Sequence, residues 1–335
     1  MKKITLLLAL IAVTYAKAQG LNSILVAGVE DAEQFANSYL APVSEASIYG
    51  ISNGWYNTAD AKPLGGFEIS VILNSTGFKN KDDKKAFLLD PADYENLDFV
   101  ENPGQARLVA TGLGDIEGVE AFVEDDSGLF REEFELPTGL SAEDFNFVPS
   151  GYIQASVGLV KGLEVKARFL PKLKFDDAKI GLFGAGLQYD FTKMLPADKI
   201  LPVAISAVIG YTNLNGEYDF TELSIIDGSD QRVEASFNTW NFSAVVSTRN
   251  IPVINFYGGI GYITGKSDID FLGTYEANGP FFSETVVDPF SVSQNASGVS
   301  ANLGTKLKLG FFRINAEYNI SEFSTFTFGI NFGFR

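Results

Sequence analysis

The chain contains no cysteine and no histidine, and only two of its 335 residues are tryptophan. Without cysteine there is no disulfide framework and no thiolate metal site. There is also no residue to carry the lipid of a lipoprotein. Without imidazole the usual Ser-His hydrolase dyad is excluded, and the commonest transition-metal ligand is missing. Neither an enzyme nor a cofactor is therefore expected. Positive charge is scarce too: 25 Lys and Arg stand against 42 Asp and Glu, a net charge of -17, which argues against a nucleic-acid partner. After the N-terminus, no apolar run approaches the ~20 residues that a membrane helix needs.

What is present begins with a targeting pattern. Lys2 and Lys3 precede the apolar stretch Ile4 to Tyr15, and Ala16-Lys17-Ala18 offers a small-x-small cleavage site. Residues 1–18 are accordingly expected to be a signal peptide, with mature protein starting near Gln19. Residues 19–62 form a helical or plug segment and 63–335 the main domain. Within 19–62, Asp31 to Leu40 is expected to be helical, with Asp31 as its cap, Phe35, Tyr39 and Leu40 on one face, and Pro42 as its end. Ser47 to Asp60 shows no period. A plug inside a barrel and a periplasmic lead-in both remain open for this region.

From Phe67 onward the dominant signal is alternation. Phe67, Ile69, Val71 and Leu73 face one way, while Glu68, Ser70 and Asn74 face the other, interrupted only by Ile72. The last ten residues repeat it: Phe326, Phe328, Ile330, Phe332 and Phe334 alternate with Thr327, Gly329, Asn331 and Gly333. Alternation alone does not tell a soluble sandwich from a membrane barrel. Its recurrence in about ten segments behind a secretory signal points to an all-β, transmembrane antiparallel β-barrel. Roughly 10 to 14 strands are expected, with about 14 favoured.

Turn chemistry fixes several registers. Val160-Lys161-Gly162 is a three-residue turn pairing Val157 with Val165 and Leu159 with Leu163, with glycine at the left-handed position. Gly310-Phe311 sets Leu303, Thr305 and Leu307 opposite Tyr318, Ala316 and Ile314. Trp240 is expected opposite Tyr262, as part of an interfacial aromatic girdle. Connections are short on one side (Lys161, Thr192 to Ile200, Arg249 to Val253, Gly310) and long on the other (Leu214 to Gln231, Gly265 to Ser297, and an acidic extracellular loop around 78–149). Outer-membrane barrels show this asymmetry. Tyr218 to Ile226, Ile269 to Tyr275 and Thr285 to Val292 are further strand candidates, either staves or protruding hairpins.

The charged residues predicted to face the lumen are Lys306, Lys308, Arg313, Glu317, Glu164, Lys166 and Arg168. Lys308 falls directly opposite Arg313, a repulsion that needs compensation. Glu317 and Glu164 are candidate partners. The set reads either as a salt-bridge network or as a constriction for an anionic head group. The glycine clusters Gly181, Gly184, Gly186 and Gly258, Gly259, Gly261 lie inside strands, so they read as room for strand bending or as lumen space rather than as phosphate loops. Glu124-Asp125-Asp126 reads as a solvated acidic loop; its oxygens suit calcium, but the spacing matches no EF-hand.

Lys17 to Gln19, Gly54 to Ala59, Phe183 to Asp190 and the ending Phe332-Gly333-Phe334-Arg335 together resemble Gram-negative outer-membrane β-barrels of an uncharacterised Bacteroidetes-type family. The helical lead-in is distantly similar to the long-chain fatty-acid transporter family, whose N-terminal segment plugs its barrel; no ligand-contacting residue carries over. The resemblance implies the outer membrane as location. It also implies membrane lipid and the barrel-assembly machinery as partners, and a channel or transporter for small, including hydrophobic, solutes. The alternative is a structural or surface-interaction barrel working through its acidic loops.

Overall fold

The computed structural model of the chain describes residues 25–334, apart from 125–130, 176, 197, 199, 220–226, 250 and 279–282. The signal peptide therefore lies outside the described residues, as do Asp125 and Asp126. One long helix, α1 (Val29–Ser52), precedes the strands. These are β1 (Phe67–Gly77), β2 (Ala86–Leu89), β3 (Leu97–Phe99), β4 (Arg107–Ala110), β5 (Glu120–Glu124), β6 (Arg131–Glu135), β7 (Phe147–Val160), β8 (Leu163–Phe175), β9 (Ala178–Asp190), β10 (Val203–Asp219), β11 (Asp227–Thr248), β12 (Ile254–Asn278), β13 (Ser283–Val287), β14 (Phe290–Leu309), β15 (Phe312–Ile320) and β16 (Thr325–Phe334). Strands β1, β7 to β12 and β14 to β16 form one antiparallel sheet that closes on itself through the β11–β12 pairing. Closure removes every free edge that a sheet would otherwise present to lipid.

The ring thus has ten staves, the lower bound of the expected range and fewer than the fourteen favoured. Candidate staves turned out to be parts of longer strands. Ile269 to Tyr275 continues β12, Thr285 to Val292 divides between β13 and β14, and Tyr218 and Asp219 end β10; residues 220–226 lie outside the described set. The connections read as long loops at 214–231 and 265–297 are therefore mostly wall, rising above the rest.

Side-chain polarity is inverted relative to a soluble protein. Phe67, Ile69, Val71 and Leu73 of β1 are 40–50% exposed, whereas Glu68, Ser70, Asn74 and Thr76 on the opposite face are buried. The same holds around the ring: Phe183, Leu187, Ile205, Ile209, Phe256, Leu303 and Phe332 point outward, while Gln154, Gln188, Ser206, Asn255, Asn315 and Asn331 point in. An apolar belt outside polar walls is the signature of a transmembrane barrel. Outward aromatics cluster, with Tyr211 and Trp240 rings 5.0 Å apart and Trp240 stacked on Phe242. Above Tyr211 the outward positions of β10 become polar (Asn213, Asn215, Glu217).

The wall is uneven in height. Strands β15, β16 and β1 have 9, 10 and 11 residues, against 22, 25 and 20 for β11, β12 and β14. The last β14–β15 pair is Ala301 with Ile320, so Phe290 to Ser300 of β14 pairs only with β12 among the described residues.

Most predicted registers are met. Val157 pairs with Val165, Leu303 with Tyr318, Leu307 with Ile314, and Lys308 with Arg313. Gly162 and Gly310 take φ +82 and +73 in their turns, a region open to glycine without the Cβ penalty. Two registers differ. Val160, not Leu159, pairs with Leu163, because a bulge absorbs Leu159. Trp240 pairs with Thr264 while Phe242 meets Tyr262. The pairing is displaced by two residues from the expected one, and the Thr248 hydroxyl accepts from the Phe256 N–H beside the turn. A slip of two keeps each side chain on its face, so the girdle survives.

Helix α1 lies inside the ring, in contact with β1, β7, β10, β11, β12 and β14. It runs well past Leu40, and Pro42 sits within it. Enclosure explains this correction: Val43, Ala46, Ile48, Tyr49 and Ile51 beyond the proline are buried on every side, and that packing outweighs the lost hydrogen bond. A helix buried all round has no polar face, so this half carries no amphipathic period. Asp31 is not the cap either. That position belongs to Gly28, and the Asp31 carboxylate instead accepts from the backbone N–H groups of Glu95, Asn96 and Leu97.

Those three amides belong to the acidic stretch expected as a loop around 78–149. It is a small folded lid, in which β2 pairs with β4 and β3–β5–β6 form a second sheet. Phe87, Leu89, Leu97, Phe99, Val109, Leu113, Val119, Val123 and Leu136 pack with Phe35 and Tyr39 of α1 in one apolar cluster. The cluster continues down the wall through Ile180, Leu182, Leu214, Phe237 and Ile263. Ile72, the one break in the polar face of β1, belongs to it and abuts Gly54.

Candidate functional site

The lumen divides into an apolar upper part and a polar lower part, and residues 53–66 occupy the lower one. Trp55 lies flat against the wall. A Cβ at Gly186 or Gly210 would collide with its indole ring; of the glycine clusters singled out in the sequence, Gly186 alone makes room for it. On its other side is Arg168 of β8, whose guanidinium carbon is 3.5 Å from the Trp55 ring centroid and 4.3 Å from that of Tyr152. Arg168 donates to the carbonyl oxygens of Ile51 at 2.9 Å and Asn53 at 2.6 Å. It also reaches the Gln154 side chain at 2.9 Å and the Thr212 hydroxyl at 3.3 Å. The last carbonyls of a helix lack intrahelical partners, and α1 has no basic residue in its last turn. The barrel wall supplies the missing cation, favourable at the negative end of the helix dipole.

Below this lies a chain of buried ion pairs. Lys166 meets Glu164 at 2.6 Å, Glu164 meets Lys62 at 3.1 Å, and Lys62 approaches Glu68 at 3.8 Å. Glu68 also receives Lys306 at 2.9 Å and Arg313 at 2.8 Å. Asn57 bridges the last group, donating to Glu68 at 2.9 Å and accepting from Lys306 at 2.7 Å. Lys62 and Asn57 come from the central segment and the others from the wall, so the pairs fasten the two together. Burial alone would lower the Lys62 pKa; Glu164 and then Glu68 outweigh it and hold the ammonium above its ordinary value.

A second clamp closes the short-turn end. Arg249, in the β11–β12 loop, contacts Asp60 at 3.1 Å, Asp190 at 2.8 Å and Asp198 at 2.8 Å, and Lys193 reaches Asp60 at 2.8 Å. Burial pulls the Arg249 pKa down, but Asp60, Asp190 and Asp198 together raise it. The Thr58 and Ser247 hydroxyls are 3.1 Å apart, and Ser206 donates to the Ala59 carbonyl.

The seven predicted lumen charges are thus distributed as follows. Lys306, Glu164, Lys166, Arg168 and Glu317 are buried, while Arg313 and Lys308 are partly so. Glu164 pairs with Lys62 and Lys166, and neither it nor Glu317 makes an ion pair with Lys306, Lys308 or Arg313 among the described residues. Glu317 accepts from Asn319 at 2.8 Å and makes no ion pair among the described residues. Glu68 carries that role for Lys306 and Arg313. Lys308 sits opposite Arg313 with no described ion partner. Sequence reading missed Lys62, Asn57, Trp55 and the Arg249 clamp, because these residues lie in segments without period, although several of their partners lie on strands. Glu68 was legible as inward-facing, and its position on β1, hydrogen-bonded to β16, places it near Arg313. Among the described residues no group of three or more acidic side chains is arranged to hold a metal ion.

The family model that matches this chain spans residues 1–334. The chain belongs to the DUF6588 family, a family of unknown function. Comparison with curated proteins returns no match. Among solved structures, the chain is similar to Ail, the attachment invasion locus protein of Yersinia pestis, at 11% identity and TM-score 0.29, covering 81% of this chain and 99% of that one. It is similar to the translocator domain of autotransporter NalP from Neisseria meningitidis, at 11% identity and TM-score 0.29, covering 81% and 88%. The outer-membrane transporter YddB from Escherichia coli follows at 8% identity and TM-score 0.30, covering 78% and 40%. No function passes from these proteins to this chain.

Proposed function

We propose that the protein resides in the outer membrane and transports small solutes, hydrophobic ones included, through a lumen gated by residues 29–66. One observation carries this reading. The central segment contributes no strand to the ring and is held to it by apolar packing, side-chain hydrogen bonds and ion pairs, so it can shift without opening the ring. Membrane lipid and the barrel-assembly machinery are its partners in this reading, and no enzymatic step, cofactor or nucleic acid enters it. Deleting residues 29–62 should give a large, steady conductance in planar bilayers that the full chain lacks. A deleted barrel that assembles yet conducts no more than the full chain would overturn the proposal.

A surface-interaction role is favoured by a different observation: the lid is folded, and its β6 edge carries exposed Arg131, Glu133 and Glu135 on a strand rich in acid. Replacing Glu132, Glu133 and Glu135 by glutamine should then abolish cation or partner binding to intact cells while leaving conductance unchanged; unaltered binding would dismiss this role.

A further inference from the structure

A cleft of ≈ 1160 Å³ opens where the wall drops from β14 to β15. Its outer walls are membrane-facing side chains: Phe242 of β11, Ile260 and Tyr262 of β12, Val299 of β14 and Ile320 of β15. Its inner end is lined by Glu45 and Tyr49 of α1, Asp83 and Lys84 of the lid, and Glu322 between β15 and β16. One continuous space therefore joins the apolar belt to the central helix, beside the stretch of β14 that pairs only with β12. Its volume lies slightly above the roughly 300–1,000 Å³ of typical small-molecule sites, room enough for an amphiphile.

The inner end is acidic. Lys84 is taken up by Glu45 at 2.6 Å and Lys81 by Glu322 at 2.7 Å, and both ammonium groups stand 5.9 Å from the Phe323 ring centroid. Asp83 is exposed and makes no ion pair among the described residues. One carboxylate is left in surplus in a cleft that Tyr49 and Tyr262 also line. A carboxylate head would be repelled here, whereas an ammonium gains both charge and ring contacts.

We propose that this cleft binds an amphiphile with an apolar body lying along Ile260 and Val299 and an ammonium-type head at Asp83, Glu45 and Tyr49. The site deepens the transport reading, on which its physiological purpose rests. The full chain is placed in neutral phosphatidylcholine nanodiscs with an alkyl-trimethylammonium probe bearing a chain-end diazirine, and labelled peptides are mapped after illumination. Label should concentrate on β12 and β14. Dodecyltrimethylammonium should compete about tenfold better than dodecanoate, a difference of about 1.4 kcal/mol. Val299→Trp, at a lipid-facing position, should remove the labelling, and Asp83→Asn should erase the preference for the cation. Uniform labelling of all outward strands would overturn the site, and equal competition by dodecanoate or dodecanol would overturn its chemistry. Concentrated labelling, together with a deletion of residues 29–62 that leaves conductance unchanged, would uphold the site while removing the transport reading.

Discussion

Arg168 on the wall stacks on Trp55 of the central segment, with 3.5 Å between guanidinium carbon and ring centroid, while the same group caps the carbonyls of Ile51 and Asn53. One side chain therefore fixes where the helix stops and where the following segment turns down the lumen. Arg168→Ala removes charge-assisted hydrogen bonds to two buried carbonyls; Asn53 keeps its bond from the Tyr152 hydroxyl while Ile51 loses its Arg168 donor, a loss of about 2–3 kcal/mol. Arg168→Lys should recover only part of it, since an ammonium lacks the planar fork. The midpoint of heat-modified gel mobility reads both. Equal midpoints for the unsubstituted chain and for the Arg168→Ala and Arg168→Lys variants would show that the stack holds nothing.

Glu68 serves Lys306, Arg313 and Lys62 together. Glu68→Gln strands buried cations and should destabilise the barrel by about 3–5 kcal/mol. Combining it with Lys306→Met removes one stranded charge, so the double variant should be more stable than Glu68→Gln alone. Strict additivity in a double-mutant cycle of unfolding midpoints would contradict the pairing.

How much of this was legible beforehand follows from periodicity. The strands, their faces and the C-terminal hairpin could be read, because a period of two survives any environment that differs on two sides. Lys306, Lys166 and Arg168 were placed inward on that basis alone. The helix beyond Pro42 and Trp55 were not legible, since both are surrounded by protein and carry no period. Ile72 was visible only as an irregularity; it marks where the wall meets Gly54 and the central core. The lid reads as a loop in the sequence because its strands, at three to five residues, are too short to alternate convincingly.

Asp31 ties the lid to α1 through three backbone N–H groups. Asp31→Ala should cost about 1–3 kcal/mol locally and speed amide exchange at 95–97, leaving the strands β7 to β12 protected. Unchanged exchange at those three amides would refute the tie.

The Lys81–Glu322 pair should confer pH sensitivity on the lid's attachment. Its hydrogen bond to Lys81 holds the Glu322 carboxyl below its ordinary value. A carboxyl lowered in the folded state stabilises above the unfolded value, about 4.3 for glutamate, and loses that contribution as pH falls through the folded value. Protease cleavage within 78–85 should rise over that acidic window, and Glu322→Gln should flatten the dependence. A profile identical in both chains would assign the pH response elsewhere.

A chain without native cysteine permits a direct test of the gated lumen. Thr58 and Ser247, whose hydroxyls are 3.1 Å apart, can be replaced by cysteines to tether the central segment to the wall. Single-channel recording on the Thr58→Cys/Ser247→Cys protein should show opening events after reduction and none after oxidation. Identical traces in the two states, with disulfide formation verified by mass, would contradict a lumen opened by movement of this segment.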